Sequence, residues 1–375
     1  MKLAMLNAVW NGPGPKPFPL VVPSLPANLP FQAINALGAS VAINTLPYQQ
    51  VTVDRSSFLW DAITVGYCSV PAMTGIPNLP SPALAKELRR AAAARANYLA
   101  AAFVLPSSSL GPKRRASYGA IEATEKVVLS FLMGQTIALR QTKVIWGPMY
   151  GVHRLYHRSL YSGIPGLPVP PGPSPDYLCD ANVAGVRSLG VLEAKGRGGP
   201  FDPVSTGPAR DKLNAWFKQW VGLGLTPRVA AVSIACVGSP FSVEQIVGQF
   251  WDPPFDRGVE MPEGFGDALL AEYFLRMRAF LASFGEPARR RDRRGMERQV
   301  WNCAEIGFEV SMSLEQYLAL EVLAENPDQG KGTFRHFLES QKFIGDALAE
   351  PGRPTVRNAD GLSLTLTDPN FYAEE

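Results

Sequence analysis

Charged residues are scarce in this chain, and long apolar runs are absent from it. Charged side chains make up 18 % and hydrophobic side chains 46 % of the 375 residues, which is typical of globular proteins and not of disordered ones. The net charge of +3 is too small to indicate a polyanion partner by itself. No apolar run approaches the roughly 18 residues that span a bilayer, and the N-terminal segment shows no clear secretory signal. We therefore expect a soluble, cytoplasmic protein with no membrane partner.

Cysteines are also few, and several common catalytic motifs are missing. The four cysteines lie too far apart to form a CxxC pair, which excludes a typical zinc framework and a small disulfide scaffold. The chain has no GxxxxGK[ST] phosphate loop and no GxSxG nucleophile turn. The 34 prolines are plentiful and indicate long irregular connections between the elements.

Local patterns predict three regions. Residues 1–110, of unknown role, combine short alternating segments typical of strands with an alanine-rich helix that begins at Ser81-Pro82. Residues 241–375 are predicted to be mostly helical and contain an arginine cluster. Residues 111–240 form the central region. Its predicted elements, in order, are a helix over 118–140, a strand over 143–146, strands over 177–183 and 187–195, a helix over 208–221 and a strand over 228–237.

One segment of the central region, residues 173–196 (PSPDYLCDANVAGVRSLGVLEAKG), places an acid and a lysine at the end of an apolar strand. Residues i and i+2 of a strand share a face, so Glu193 and Lys195 would lie side by side. Charges on a core-facing strand are costly unless they are paired or bind a ligand. Asp176 follows a proline on the predicted partner strand, and Asp180 is a competing carboxylate on the same face.

The order of these residues, Asp176 after a proline and then Glu193-Ala194-Lys195, resembles the PD-(D/E)xK nuclease superfamily over residues 118–238. The resemblance implies an α/β (α+β) chain with a restriction-endonuclease-like αβββαβ core and a mixed sheet. It also implies a Mg2+-dependent hydrolase of phosphodiester bonds, with Mn2+ as a substitute and DNA favoured over RNA. Phage defence, restriction or action as a toxin are the settings that such an enzyme suggests.

Each residue of the motif has a chemical role in such a site. Asp176, Glu193 and the backbone carbonyl of Ala194 would hold the ion, because Mg2+ prefers oxygen ligands. Lys195 would position the attacking water or stabilise the charge that develops on the phosphate. The catalytic set is therefore expected to include both carboxylates and this lysine.

Two helices offer further candidates. In several branches of the superfamily a glutamate of the first helix joins the site, and Glu125 fits this role because it lies on the apolar stripe of that helix. Glu122 is the alternative, although Lys126 lies four residues on and could pair with it. In the helix after the motif, relatives often place a Lys or Gln against the scissile phosphate, and the chain has Lys212 and Gln219 there.

Basic residues near the motif indicate a nucleic-acid surface. Between residues 111 and 160, eight lysines and arginines oppose two glutamates, a local charge of +6. Tyrosines alternate with arginines in the same region, so phosphate pairing and ring stacking could act together. The arginine cluster over 289–294 is a second candidate surface. The expected contacts are Arg114, Arg115, Arg154, Arg158 and Lys212.

Two other functions remain open from the sequence. The chain could keep the nuclease fold and act as a nucleic-acid-binding or assembly protein without cleaving. A second copy of the chain, or a partner or inhibitor protein, is a further candidate partner. Alternatively, the Glu-x-Lys tripeptide could be a solvated pair at an ordinary strand end, since such tripeptides arise by chance. Intact Asp176, Glu193 and Lys195 favour the catalytic hypothesis, because a decayed site usually loses one of the three.

Overall fold

The chain is a mixed α+β protein, seen in a computed structural model. The structure describes residues 17–22, 31–34, 40–43, 49–65, 81–104, 113–114, 116–162, 164, 174–198, 209, 212, 215, 229–236, 247–251, 261, 264–340, 355–358 and 360–367.

Sixteen strands and seven helices have bounds within these residues. The strands are β1 Pro17–Val22, β2 Phe31–Ile34, β3 Ser40–Ile43, β4 Gln49–Asp54, β5 Phe103–Val104, β6 Lys113–Arg114, β7 Tyr156–His157, β8 Tyr177–Val183, β9 Val186–Arg197, β10 Val229–Cys236, β11 Val247–Trp251, β12 Ala288–Arg291, β13 Glu297–Cys303, β14 Phe308–Ser313, β15 Thr355–Arg357 and β16 Ser363–Leu366. The helices are α1 Arg55–Thr64, α2 Pro82–Ala102, α3 Ala123–Tyr150, α4 Arg158–Tyr161, α5 Phe265–Ala282, α6 Leu314–Glu325 and α7 Pro327–Ser340.

A seven-stranded mixed sheet lies at the centre of the fold, in the order β4-β1-β11-β10-β9-β8-β7. Strands β9 and β10 run parallel, as do β1 and β11, and the other neighbours are antiparallel. The sheet takes strands from all three predicted regions, 1–110, 111–240 and 241–375. Each of the three regions therefore contributes at least one strand to this sheet.

The hairpin that carries the motif agrees with its prediction. Ala184 and Gly185 form the two-residue turn between β8 and β9, with φ of 52° and 85°. Positive φ at both positions is the conformation of a type I′ hairpin turn, whose twist suits the flanking strands. Beyond the turn, the register pairs Tyr177 with Leu192.

Helix α3 corrects the prediction of a strand over 143–146. The helix continues to Tyr150, contains Pro148 and ends at Gly151 with φ of 65°. The sequence TKVI at 142–145 is rich in β-branched residues, which favour strands, but tertiary packing overrides this weak preference. Trp146 at the end of this stretch is fully buried. The first strand after α3 is instead the short β7, so three strands, β7, β8 and β9, still follow the helix, with the four-residue α4 between the first two.

Helix α3 covers one face of the large sheet. Leu129 and Met133 of the helix share a core with Cys179, Leu192 and Ala194 of the hairpin. Side chains alternate between the two faces of a strand, so Glu193 and its neighbours at i±2 point to the face away from α3.

The C-terminal region corrects a second prediction, because it is not mostly helical. Strands β12 to β16 form a five-stranded antiparallel sheet in the order β12-β13-β14-β16-β15. Strand β14 has a regular period of two, with Phe308, Val310 and Met312 buried and their neighbours partly exposed. The arginine cluster lies on β12 at the edge of this sheet, with Arg289 and Arg291 exposed beside Glu297.

Helix α2 begins where the sequence predicted. The Ser81 hydroxyl accepts a hydrogen bond from the Leu84 amide at 3.3 Å, and Pro82 occupies the first helical position. This cap satisfies an amide that the helix itself leaves unpaired. Among the described helices, none has the length and apolar character that crossing a membrane would require.

Candidate active site

Two carboxylates meet where β8 begins and β9 approaches its end. Because Tyr177 pairs with Leu192 in antiparallel register, the preceding Asp176 lies opposite the following Glu193. Both residues therefore lie on the sheet face away from α3. The Glu193 side chain is fully buried, and that of Asp176 is 20 % exposed.

The backbone around Asp176 is held in place by several hydrogen bonds. The Ala194 amide donates to Asp176 Oδ2 at 3.0 Å, which ties the side chain to the neighbouring strand. The Arg158 amide donates to the Asp176 carbonyl at 2.9 Å, and the Tyr161 hydroxyl donates to the Pro175 carbonyl at 2.5 Å. The segment before β8 is thus fixed by α4, and the carboxylate position is set before any ligand binds.

Two lysines contact this carboxylate pair. Lys212 Nζ lies 3.1 Å from Asp176 Oδ1 and 2.9 Å from Glu193 Oε1, so one cationic group bridges the two strands. Lys195 Nζ lies 2.5 Å from Glu193 Oε1, and its side chain is 36 % exposed. The four side chains therefore bring two acids and two lysines together where β8 begins and β9 nears its end.

Burial shifts the protonation of this group. Desolvation, together with the nearby Asp176 charge, raises the pKa of Glu193, although Lys195 and Lys212 act in the opposite direction. Burial lowers the pKa of Lys212, but Asp176 and Glu193 outweigh it and the net pKa is raised. A carboxylate that resists ionisation beside a lysine that resists deprotonation is typical of a site adapted to bind or to react.

The donor atoms fit a hard divalent cation. Glu193 Oε2 is buried and has no hydrogen-bond partner among the described residues, so one carboxylate oxygen is left over by the protein. Within the part of the chain that the structure describes, no third His, Cys, Asp or Glu joins the pair in a group that could hold a metal. Two carboxylates are sufficient for Mg2+, which usually keeps several of its waters.

Asp180, the competing carboxylate, is used elsewhere. It accepts hydrogen bonds from Arg187 Nη2 at 2.7 Å and from Arg335 Nη1 at 3.2 Å. Asp267 of α5 binds the same two arginines. This cluster ties the hairpin to α5 and α7, so the geometry places Asp176, and not Asp180, beside Glu193.

Glu125 occupies a different position from the one its helical face suggested. It closes a capping box at the start of α3, where its carboxylate accepts a hydrogen bond from the Glu122 amide at 3.3 Å. The stripe that the sequence predicts, Ile121, Glu125, Val128 and Leu132, is only partly buried, because Val128 is 56 % exposed while Leu129 beside it is buried. Glu125 therefore serves the helix end.

Several cations of the predicted basic surface bind carboxylates of the protein itself, so only part of this surface is available to contact nucleic acid. Arg140 and Lys143 bind the buried Asp61 at 2.8 and 3.4 Å, so these cations serve the core. Arg154 binds Asp360 at 2.8 Å.

Other basic residues near the motif have different surroundings. Arg154 also lies over the ring of Phe274 and lines a cavity of about 500 Å3 with Tyr150 and Tyr156. Arg158 is exposed on α4. The side chains of Arg114 and Arg115 lie outside the described residues, as does Gln219.

Lys212 is the residue whose importance the sequence understated. It was expected to be a weak contact to nucleic acid, yet its ammonium group bridges both carboxylates of the motif. The described neighbours Ala209 and Ala215 are helical like Lys212, at the spacing of successive turns. These helical residues follow β9 along the chain. The position of Lys212 in a predicted helix after the motif was the sequence signal that could have identified it as a site residue.

Compared with protein-family profiles, with curated proteins and with solved structures, the chain shows no match.

Proposed function

We propose that this protein is a metal-dependent nuclease of the PD-(D/E)xK type that hydrolyses phosphodiester bonds of nucleic acid, with DNA favoured. The observation that carries the proposal is the juxtaposition of Asp176 and Glu193 on neighbouring strands, bridged by Lys212 and flanked by Lys195. Two acids and two lysines, gathered where β8 begins and β9 nears its end, supply the ligands and the cations that such a reaction needs.

The order of the elements supports the proposal. Helix α3 is followed by β7, β8 and β9, then by the helical residues around Lys212, and then by β10. Strands β7, β8 and β9 are antiparallel, and β10 lies parallel to β9 on its other side. Apart from the four-residue helix α4 between β7 and β8, this is the helix–strand–strand–strand–helix–strand order that the resemblance implies for the core.

Each side chain has a task in the proposed reaction. Asp176 and Glu193 would hold Mg2+, or Mn2+ in its place, through oxygens that face one another across the two strands. When bound, the ion would offset charge on the phosphate and acidify a water. Lys195, partly exposed and anchored by Glu193, would direct its ammonium group at the attacking water or at a phosphate oxygen.

A nuclease-fold protein that binds without cleaving is a second candidate. The observation that favours it is the internal neutralisation of the site, since two lysines already balance both acids. Such a cluster can hold the ends of β8 and β9 together without an ion. Restriction, antiviral defence and toxin action are settings for the first candidate only, because each requires strand breakage.

The test is cleavage of plasmid, linear and single-stranded DNA and of RNA, each with Mg2+, Mn2+ or EDTA. We expect metal-dependent cleavage by the natural protein and none by Glu193→Gln. Binding that persists in EDTA without any cleavage would favour the second candidate. Neither binding nor cleavage would remove both proposals and leave the Glu-x-Lys segment as an ordinary strand end.

A further inference from the structure

Lys212 and Lys195 contact the carboxylate pair in different ways. Lys212 Nζ lies within 3.1 Å of both Asp176 and Glu193, whereas Lys195 contacts Glu193 alone. The Lys212 side chain is 27 % exposed and that of Lys195 is 36 % exposed, so both remain beside solvent. Of these two lysines, Lys212 is the one that lies between the two carboxylates.

A divalent cation held by both acids would lie next to the Lys212 ammonium group, even if Glu193 bound it through the unpartnered Oε2. An ammonium group between two carboxylates satisfies Asp176 Oδ1 and Glu193 Oε1 with charge-assisted hydrogen bonds. An ion bound there would also be repelled by Lys212 at close range, because like charges in a partly buried site are weakly screened. Ammonium and metal therefore compete for one position.

We propose that Lys212 is a tethered counter-ion that holds the Asp176–Glu193 pair together until a divalent cation displaces it. This inference rests on the proposed metal-dependent function. It assigns Lys212 a positioning role, since in the metal-free protein its ammonium group keeps the two acids from separating. The displaced lysine stays beside the site on its helix, where a phosphate is the available partner. Metal loading and phosphate binding are thereby coupled through one side chain.

The experiment measures Mn2+ binding by the full-length protein without nucleic acid. Free Mn2+ is followed by electron paramagnetic resonance in the natural protein, Lys212→Gln and Lys195→Gln. Each variant loses one positive charge beside Glu193, but only Lys212→Gln removes the bridging ammonium. We expect Lys212→Gln to bind Mn2+ roughly ten- to a hundredfold more tightly, the equivalent of about one charge-assisted hydrogen bond. Lys195→Gln should change the affinity less.

A second measurement uses the natural protein, so that the proposal can be tested even if the Lys212→Gln variant fails to fold. Acetylation of lysines in the natural protein is quantified by mass spectrometry with and without MnCl2. Modification of Lys212 should increase when Mn2+ is added, because the ion releases the ammonium group. Lys126, which donates to the Gly119 carbonyl at 3.0 Å, provides an internal reference.

The outcomes separate this inference from the proposed function. If Mn2+ binds and binding requires Asp176 and Glu193, but Lys212→Gln binds no more tightly than Lys195→Gln, the counter-ion role is wrong and the metal site stands. Unchanged Lys212 acetylation under saturating Mn2+ would have the same meaning. If neither the natural protein nor Lys212→Gln binds Mn2+, the metal-dependent function and the counter-ion role both fall.

Discussion

Gly134 of α3 and Gly196 of β9 meet backbone to backbone. A Cβ on Gly134 would lie 2.4 Å from the Gly196 amide nitrogen, and a Cβ on Gly196 would lie 1.6 Å from the Ser130 carbonyl oxygen. No side chain fits at either position unless the helix or the strand moves. The contact seats α3 on the strand directly after Lys195, so the helix supports the end of β9 that carries the motif.

This close approach predicts the effect of Gly134→Ala. Alanine favours a helix interior by about 1 kcal/mol over glycine, but here the new methyl group would meet backbone that cannot rotate away. We expect a net destabilisation of roughly 1–3 kcal/mol from overpacking, measured by urea unfolding. Gly332→Ala on α7 is the matched control, because a Cβ there meets open space. It should gain stability, and a similar gain at Gly134 would contradict the close approach.

Lys195→Ala should separate chemistry from metal binding. The variant keeps Asp176 and Glu193 but loses the cation proposed to act in the transition state. Cleavage should fall on the order of 10²- to 10⁴-fold, while Mn2+ binding is retained. Glu193→Gln should lose both properties. Lys126→Ala, which removes a lysine from the start of α3, should cleave normally, and cleavage by Lys195→Ala at the same rate as this control would exclude the catalytic role.

Asp180→Asn should affect mainly stability, whereas Asp176→Asn should affect mainly cleavage and metal binding. Asp180 binds Arg187 and Arg335, so its loss should lower the free energy of unfolding by roughly 1–3 kcal/mol, as for charge-assisted hydrogen bonds. Its cleavage rate per folded molecule should stay near that of the natural protein. Asp176→Asn should remove cleavage and Mn2+ binding. A variant of Asp180 that folds normally but no longer cleaves would make it the better candidate for the site.

Sequence reasoning was most successful for the hairpin and least successful for contacts between distant segments. The period of two and the Ala184-Gly185 turn are local signals, and they fix which residues of β8 and β9 share a face. The placement of Asp176 opposite Glu193 follows from that register. How the later helix orients Lys212 is a tertiary property, which no local pattern contains.

Two predictions are wrong because each depended on a local residue pattern that was misleading or too short. Glu125 was placed on an apolar stripe, but the first turns of α3 leave Val128 exposed, so helical periodicity there does not report burial. The C-terminal sheet was missed although Phe308, Val310 and Met312 alternate with more exposed neighbours. Such a six-residue strand is a short signal beside the 12-residue helix α6 that follows it.

The basic surface can be tested with grouped charge reversals. Replacing Arg114, Arg115 and Arg158 by glutamate should weaken DNA binding in EDTA, because these residues belong to the basic region that precedes the motif in the sequence. The loss of affinity should be largest at low salt. In a plot of the logarithm of the binding constant against the logarithm of the salt concentration, the magnitude of the slope should fall by about one unit per lost phosphate contact. Reversal of Arg289–Arg291 on β12 is the matched comparison. Should only that second variant lose affinity, the binding surface would lie on the C-terminal sheet.

Glu193→Gln should also change how stability depends on pH. Burial and the Asp176 charge raise the pKa of Glu193, so the folded protein favours the protonated acid more than the unfolded chain does. The associated stability is present below the ordinary value of 4.5 and is lost as the pH rises through the raised pKa. Glutamine resembles the protonated form at every pH. In EDTA the variant should therefore melt at a higher temperature than the natural protein near neutral pH, and the difference should shrink as the pH falls toward 4.5.

The reverse trend would identify a different balance in the site. If the natural protein gains stability over Glu193→Gln as the pH rises, the attraction of Lys195 and Lys212 outweighs burial and the repulsion by Asp176. Adding MgCl2 provides the deciding comparison, because a ligand that binds only the folded state stabilises it in proportion to the logarithm of its concentration. The natural protein should gain melting temperature with Mg2+ and Glu193→Gln should not. An equal gain in both would place the ion away from Glu193.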